Sequence, residues 1–160
     1  MDTDFANIAG MYKTNTDIVG KTISEVSDER WFDKPGDDSN HLMWVVGHLV
    51  WSRWNVLKLL GQEWDIPAAR LFERGATVAN QDEYPTVEAM KTAWAGVSGK
   101  LAATLADASD ETLSKSAPKG PPTFDGKLSG VVAFLAFHET YHVGQVSYLK
   151  KWLGYGQAVG

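Results

Sequence analysis

Residues 128–153, LSGVVAFLAFHETYHVGQVSYLKKWL, decide how the rest of the chain is read. Leu128, Val131, Leu135, His138, His142, Gln145, Leu149 and Trp152 recur every three or four residues, the period of one helical face, and Gly154 follows as a stop. The spacing predicts a helix from near Leu128 to just before Gly154, with two histidines in its core stripe. His138 and His142 stand one turn apart, so both imidazoles project from one face at a separation of about 5 to 6 Å. Two nitrogens so placed can meet one metal ion, and they equally suit a pair of hydrogen-bonded core histidines. Among Leu135, Val146 and Leu149 a protonated imidazole is unfavourable and two neutral ones each need a partner, a need that a bound metal resolves.

Outward from that segment, three more stretches carry helical spacing and none of comparable length alternates like a strand. The first runs from about Phe5 to Val26, with Phe5, Ile8, Tyr12, Val19 and Ile23 on one stripe that Asn15 interrupts. The second starts at Ser39 or Asn40, both good N-caps, and continues through His41 to Leu60 before Gly61. The third follows Pro85, with Thr86 as N-cap and Val87, Met90, Trp94, Val97, Leu101 and Leu105 as its seam. About 25 residues separate the second and third helices and about 20 the third and fourth, more than the two to eight typical of up-down bundles. The expected fold is all-α, a four-helix bundle with long crossover connections, in a single domain over residues 1–160.

The second helix is apolar nearly all round, since Val46, Val50, Trp54 and Leu57 lie opposite Val45, Leu49, Val56 and Leu59. It must be covered twice, by the bundle and by either the Gly61 to Pro85 segment or a second subunit, and a homodimer is the expectation. Composition bounds the rest. With 160 residues, 44% hydrophobic and 22% charged, the chain can bury a full core and is not a disordered tail. Met1 to Phe5 lacks the basic and apolar regions of a signal peptide and no stretch is apolar enough to span a membrane, so a cytoplasmic location is expected. A net charge of −5 argues against a nucleic-acid partner. With no cysteine, any metal must be held by His, Asp or Glu.

His138-Glu139-Thr140-Tyr141-His142 also spells the zinc-protease pattern H-E-x-x-H. In those enzymes the third ligand follows the motif, and residues 143–160 contain no His, Asp or Glu. A third ligand must come from upstream. His48, mid-helix on the face with Val45 and Ser52, is the best candidate, although a buried core histidine is the plainer reading of it. His41 lies about 10 Å further along the axis and reads as a helix-start residue. Three neutral histidines from two helices would leave coordination positions open, as in reactive rather than structural sites.

Gly47-His48-Leu49 in a Trp-rich second helix, the bridging Leu71-Phe72-Glu73-Arg74-Gly75, the Tyr84-Pro85 lead into the third helix, and His138-x-x-x-His142-x-Gly144-Gln145 together resemble the DinB/YfiT-like superfamily. The resemblance covers nearly the whole chain. It implies one divalent metal, zinc or nickel, on His48, His138 and His142 in an often dimeric four-helix bundle. Val143 stands where family members often carry arginine. It further implies a small-molecule substrate and, for some relatives, thiol S-transferase activity with a low-molecular-weight thiol. A metal-dependent hydrolase and a non-catalytic metal-binding or ligand-binding bundle are the alternatives. Glu139, at the edge of the histidine face, could take a proton or orient a ligand, or be a solvated flank carboxylate. Gln145 could support His142 or bond the first helix near Asn15. A few of Trp31, Trp44, Trp51, Trp54, Trp64 and Trp94 could wall a pocket above the metal, and Arg70 and Arg74 could clamp a substrate carboxylate or be ordinary surface charges.

Overall fold

The computed structural model describes residues 3–159, so residues 1, 2 and 160, at the ends of the expected domain, lie outside the described residues. Four long helices carry the fold: α1 (Thr3–Glu25), α2 (Leu42–Leu59), α3 (Val87–Ala106) and, after the single-turn α4 (Asp110–Leu113), α5 (Leu128–Trp152). No strand occurs among the described residues, and no helix there is long and apolar enough to cross a membrane. α1 and α2 each pack against both α3 and α5, closing a four-helix ring around one core.

The helix ends follow local chemistry. Thr86 caps α3 by accepting the Ala89 N–H, and Gly61, at φ 75°, takes the left-handed conformation that ends α2. The expected Ser39 or Asn40 cap of α2 is corrected: His41 is the N-cap, its Nδ1 accepting the Trp44 N–H at 3.1 Å. An imidazole can cap in this way only while that nitrogen is unprotonated. Burial beside Phe32 and Tyr84 favours this form and lowers the His41 pKa to about 4. α4 was not expected. Ser109 starts it, accepting the Thr112 N–H, and buried Leu113 anchors it.

α1 and α5 run parallel. The Tyr12 hydroxyl donates to the Val132 carbonyl, the Asn15 amide to Thr140, and Glu25 pairs with Lys150, each link advancing in the same direction along both helices. In an up-down-up-down bundle the first and last long helices run antiparallel, so the parallel course of α1 and α5 requires at least one connection that returns along the bundle and exceeds tight-turn length.

Along α5 the buried face takes in Leu128, Val131, His142 and Leu149 of the expected stripe and extends to one side of it through Val132, Ala136, Glu139, Val143, Val146 and Lys150. Trp152 is 43% exposed and Leu135 and His138 are half-buried, because the stripe seats two charged residues that pattern reading places outside. Lys150 is buried against Glu25. Glu139, fully buried, meets Arg53 of α2 in a bidentate pair at 2.7 and 2.8 Å. The remaining Arg53 donors go to the Tyr12 carbonyl and Thr16 Oγ1 of α1 and to Ser98 Oγ of α3, and its guanidinium lies 4.0 Å over the Trp94 ring. All five N–H groups are used, and the four long helices meet at one side chain.

The outer face of α2 is covered by the chain itself. Phe72, in a 3₁₀ turn (Ala69–Phe72) of the long crossover, is buried against Gly47. The crossover supplies the second cover expected for α2, so the apolar character of this helix does not by itself require a second subunit.

Breaking the Arg53–Glu139 pair leaves a buried charge uncompensated. Glu139→Gln is expected to lose about 3 kcal/mol in urea unfolding, whereas the double variant Arg53→Met/Glu139→Leu should lose less than Glu139→Gln alone.

Candidate metal centre

Holding Glu139 inward fixes the rotation of α5, and with it the histidines. At about 100° per residue, His138 and His142 fall on the same flank, about 100° and 60° from Glu139 and about 40° from each other. That flank faces α2. The ring centroids of His48 and His142 are 4.6 Å apart, of His48 and His138 5.3 Å, and of His138 and His142 4.6 Å. One nitrogen from each lies within 4.8 Å of the others, so the three form a group that could hold a metal ion.

Hydrogen bonds fix which nitrogen faces inward. The Phe72 carbonyl can only accept, so His48 Nδ1 donates to it, at 2.6 Å. His142 Nδ1 likewise donates to Gln145 Oε1 at 2.8 Å. Each ring then carries its proton on the outer nitrogen and presents a lone pair at Nε2, as a metal-binding histidine requires. His142 Nε2 lies 3.2 Å from His138 Nε2. His138 Nδ1 is buried without a hydrogen-bond partner among the described residues, so the His142 lone pair is met either by a His138 Nε2–H or by a cation, and this donor set fits a divalent ion.

Burial favours neutral imidazoles throughout. It lowers His48 to about 4 against an opposing pull from the Phe72 carbonyl. His138 is lowered by burial and then by the His142 and Arg74 charges, and His142 by burial, partly offset by Gln145. At neutral pH all three are available as ligands. The stack is aromatic on both sides of His48: Trp44 lies nearly parallel to it at 5.0 Å and Trp51 at 5.4 Å. Tyr141, 62% exposed, meets the His142 ring edge-on.

Of the residues expected at a site, His48, His138 and His142 are brought together. His41, read as a helix-start residue, stands apart from them as the N-cap of α2. Glu139, beside the histidine face, is not solvated; it is fully buried with both oxygens on Arg53. Gln145 supports His142, while Asn15 bonds Thr140 instead. Trp44 and Trp51 flank His48, whereas Trp31 and Trp94 are core. Arg70 and Arg74 are exposed, and neither forms an ion pair among the described residues.

Sequence reading missed two contributors. Arg53 was detectable as the charged residue in the middle of an otherwise apolar helix. The Phe72 carbonyl carried no signal, because a backbone acceptor has no residue identity. Its indirect mark is Gly47: a Cβ there would run into the Phe72 ring, so glycine is what allows the crossover to reach His48. Gly47→Ala is expected to cost about 1 to 3 kcal/mol in urea unfolding and to displace the carbonyl, seen as loss of the hydrogen-bonded His48 Nδ1–H resonance in NMR spectra.

A comparison with functionally curated proteins finds no match. A family model described as the DinB superfamily matches residues 11–146, a span from α1 into α5 that contains all three histidines. The chain belongs to the DinB superfamily.

Proposed function

We propose that His48, His138 and His142 hold one divalent transition metal, zinc or nickel, and that the protein uses it to transfer a low-molecular-weight thiol to a small-molecule electrophile. The observation that carries the metal reading is the pair of outer-nitrogen hydrogen bonds, His48 to Phe72 and His142 to Gln145, which turn the inner nitrogens toward one point. When bound, a divalent cation supplies Lewis acidity, which favours the ionised form of a thiol whose free pKa is about 8.5.

The chain's own residues do the rest. The Phe72 carbonyl and Gln145 hold two rings in orientation, Trp44 and Trp51 shield His48 from water, and Glu139 sets the rotation of α5. Glu139 takes no part in proton transfer, since Arg53 occupies both its oxygens. A thiol suits such a site better than water does, because it ionises near neutral pH with less help from a protein base.

Elemental analysis of the untagged protein is expected to find about one equivalent of transition metal, and none in a folded His138→Ala/His142→Ala variant. The loaded protein should consume a test electrophile only when a low-molecular-weight thiol is present. Consumption without thiol would identify a hydrolase instead, and full metal occupancy with no turnover a binding protein.

The lowered histidines also set a pH dependence. Between about 4 and the ordinary 6.5, His41 and His48 are neutral in the folded chain and protonated in the unfolded one. The unfolded state binds more protons there, so stability is full above pH 6.5 and falls as pH drops toward 4. Urea unfolding of metal-free protein from pH 7 to 4.5 should show this loss, at up to about 1.4 kcal/mol per pH unit for each histidine, with a smaller slope in His48→Phe.

A further inference from the structure

Opposite its buried face, α5 presents aromatic rings to solvent. Phe137, Tyr141, Tyr148 and Trp152 fall within about 60° of one another around the helix. Together with Phe124, just before the helix, they are between 43% and 66% exposed. Phe134 links Phe124 to Phe137, with ring centroids 5.7 and 6.2 Å apart, and extends the stripe toward the start of α5. Charge is missing from this face. Besides its histidines α5 carries Glu139, Lys150 and Lys151, and the first two are buried. Five aromatic side chains at such exposure leave roughly 600 Å² open, the top of the range for the largest apolar patch on a monomer.

The spacing of the stripe points to what covers it. Phe137 and Trp152 are centred on the Gly144–Gln145 peptide, and so are Tyr141 and Tyr148. A helix that crosses a second copy of itself antiparallel, about a two-fold axis, pairs positions related in this way. Gly144 stands at the crossing point and is exposed. Beyond the backbone of its own helix, a Cβ there would meet nothing within 4 Å. Nothing in this chain therefore calls for glycine inside the helix, where it is unfavourable, whereas the close approach of a second backbone does. Crossing helices diverge from their closest point, and side-chain size follows that divergence: glycine at the centre, tyrosine about one turn out, phenylalanine and tryptophan about two turns out.

We infer that the exposed face of α5 is a self-association surface, on which a second copy of this chain packs antiparallel about a two-fold axis at Gly144–Gln145. Phe137 of each copy meets Trp152 of the other, and Tyr141 meets Tyr148. The two faces together bury roughly 1,200 Å², which reaches the range of stable interfaces. The second subunit, not required by α2, finds its surface here. Tyr141 also lies edge-on to His142, with ring centroids 5.1 Å apart, so the interface comes within one ring of the histidine group. The pairing needs no bound metal.

Sedimentation velocity of the purified chain is expected to show a dimer at about 10 μM, with a Kd on the order of 1 μM. Gly144→Arg, Tyr141→Glu and Tyr148→Lys, all at exposed positions, should each weaken it at least about a hundredfold and give monomers with unchanged helical circular dichroism. Tyr141→Glu/Tyr148→Lys should regain the dimer, since each charge then faces its opposite across the axis. Phe137→Glu/Tyr148→Lys, whose positions do not face one another, should stay monomeric. A parent that is monomeric at about 100 μM overturns the inference and leaves the stripe to a different protein or to a membrane surface. A parent dimer that survives the single substitutions, or a matched pair that recovers no better than the mismatched one, overturns it as well.

Discussion

One guanidinium sets the geometry of this bundle. Arg53 projects from α2 into the space where α1, α3 and α5 meet, and each of its N–H groups has an acceptor on one of those three helices. Hydrophobic contact alone is tolerant of small rotations, since one aliphatic side chain can replace another against the same neighbour. A bidentate pair is not tolerant, because both Glu139 oxygens must stay in the plane of the guanidinium. The pair therefore fixes the rotation of α5 and turns His138 and His142 toward His48.

Structure and site share this frame, and the crossover between α2 and α3 belongs to it. Gly61 to Pro85 covers the second apolar face of α2, and in doing so lays the Phe72 carbonyl on His48. Gly47 is the complement of that contact on the helix side. A segment that sequence length marks as a loop is thus part of the core and part of the histidine site at once.

Much of this was legible in the sequence, for identifiable reasons. The seam of α3, from Val87 to Leu105, reads correctly because its apolar period has no competing stripe. The stripe of α5 reads only in part, with Leu128, Val131, His142 and Leu149 buried but Leu135 and Trp152 not, because Val131 and Val132, Leu135 and Ala136, and His142 and Val143 offer two adjacent faces of similar hydropathy. Choosing between them depends on Arg53 and Glu25, which neutralise Glu139 and Lys150 from other helices and are invisible to a single-helix pattern. The three-histidine group was legible where it depends on spacing within α5 and on the elimination of downstream ligands. The partners that orient it were not, since a backbone carbonyl 24 residues from His48 leaves no mark of its own on the sequence.

The parallel pairing of α1 with α5 also bears on how the chain folds during synthesis. Tyr12 waits for Val132, Asn15 for Thr140, and Ser27 for Tyr155, partners 120 or more residues later. Contacts so distant in sequence form late, because a long loop must close before they repay its entropy. On the ribosome α1, α2 and α3 emerge before α5, leaving the Arg53 charge and the apolar faces around it unsatisfied until α5 follows. His48 is made early, but the three-histidine group, which could hold a metal ion, can close only once α5 has emerged.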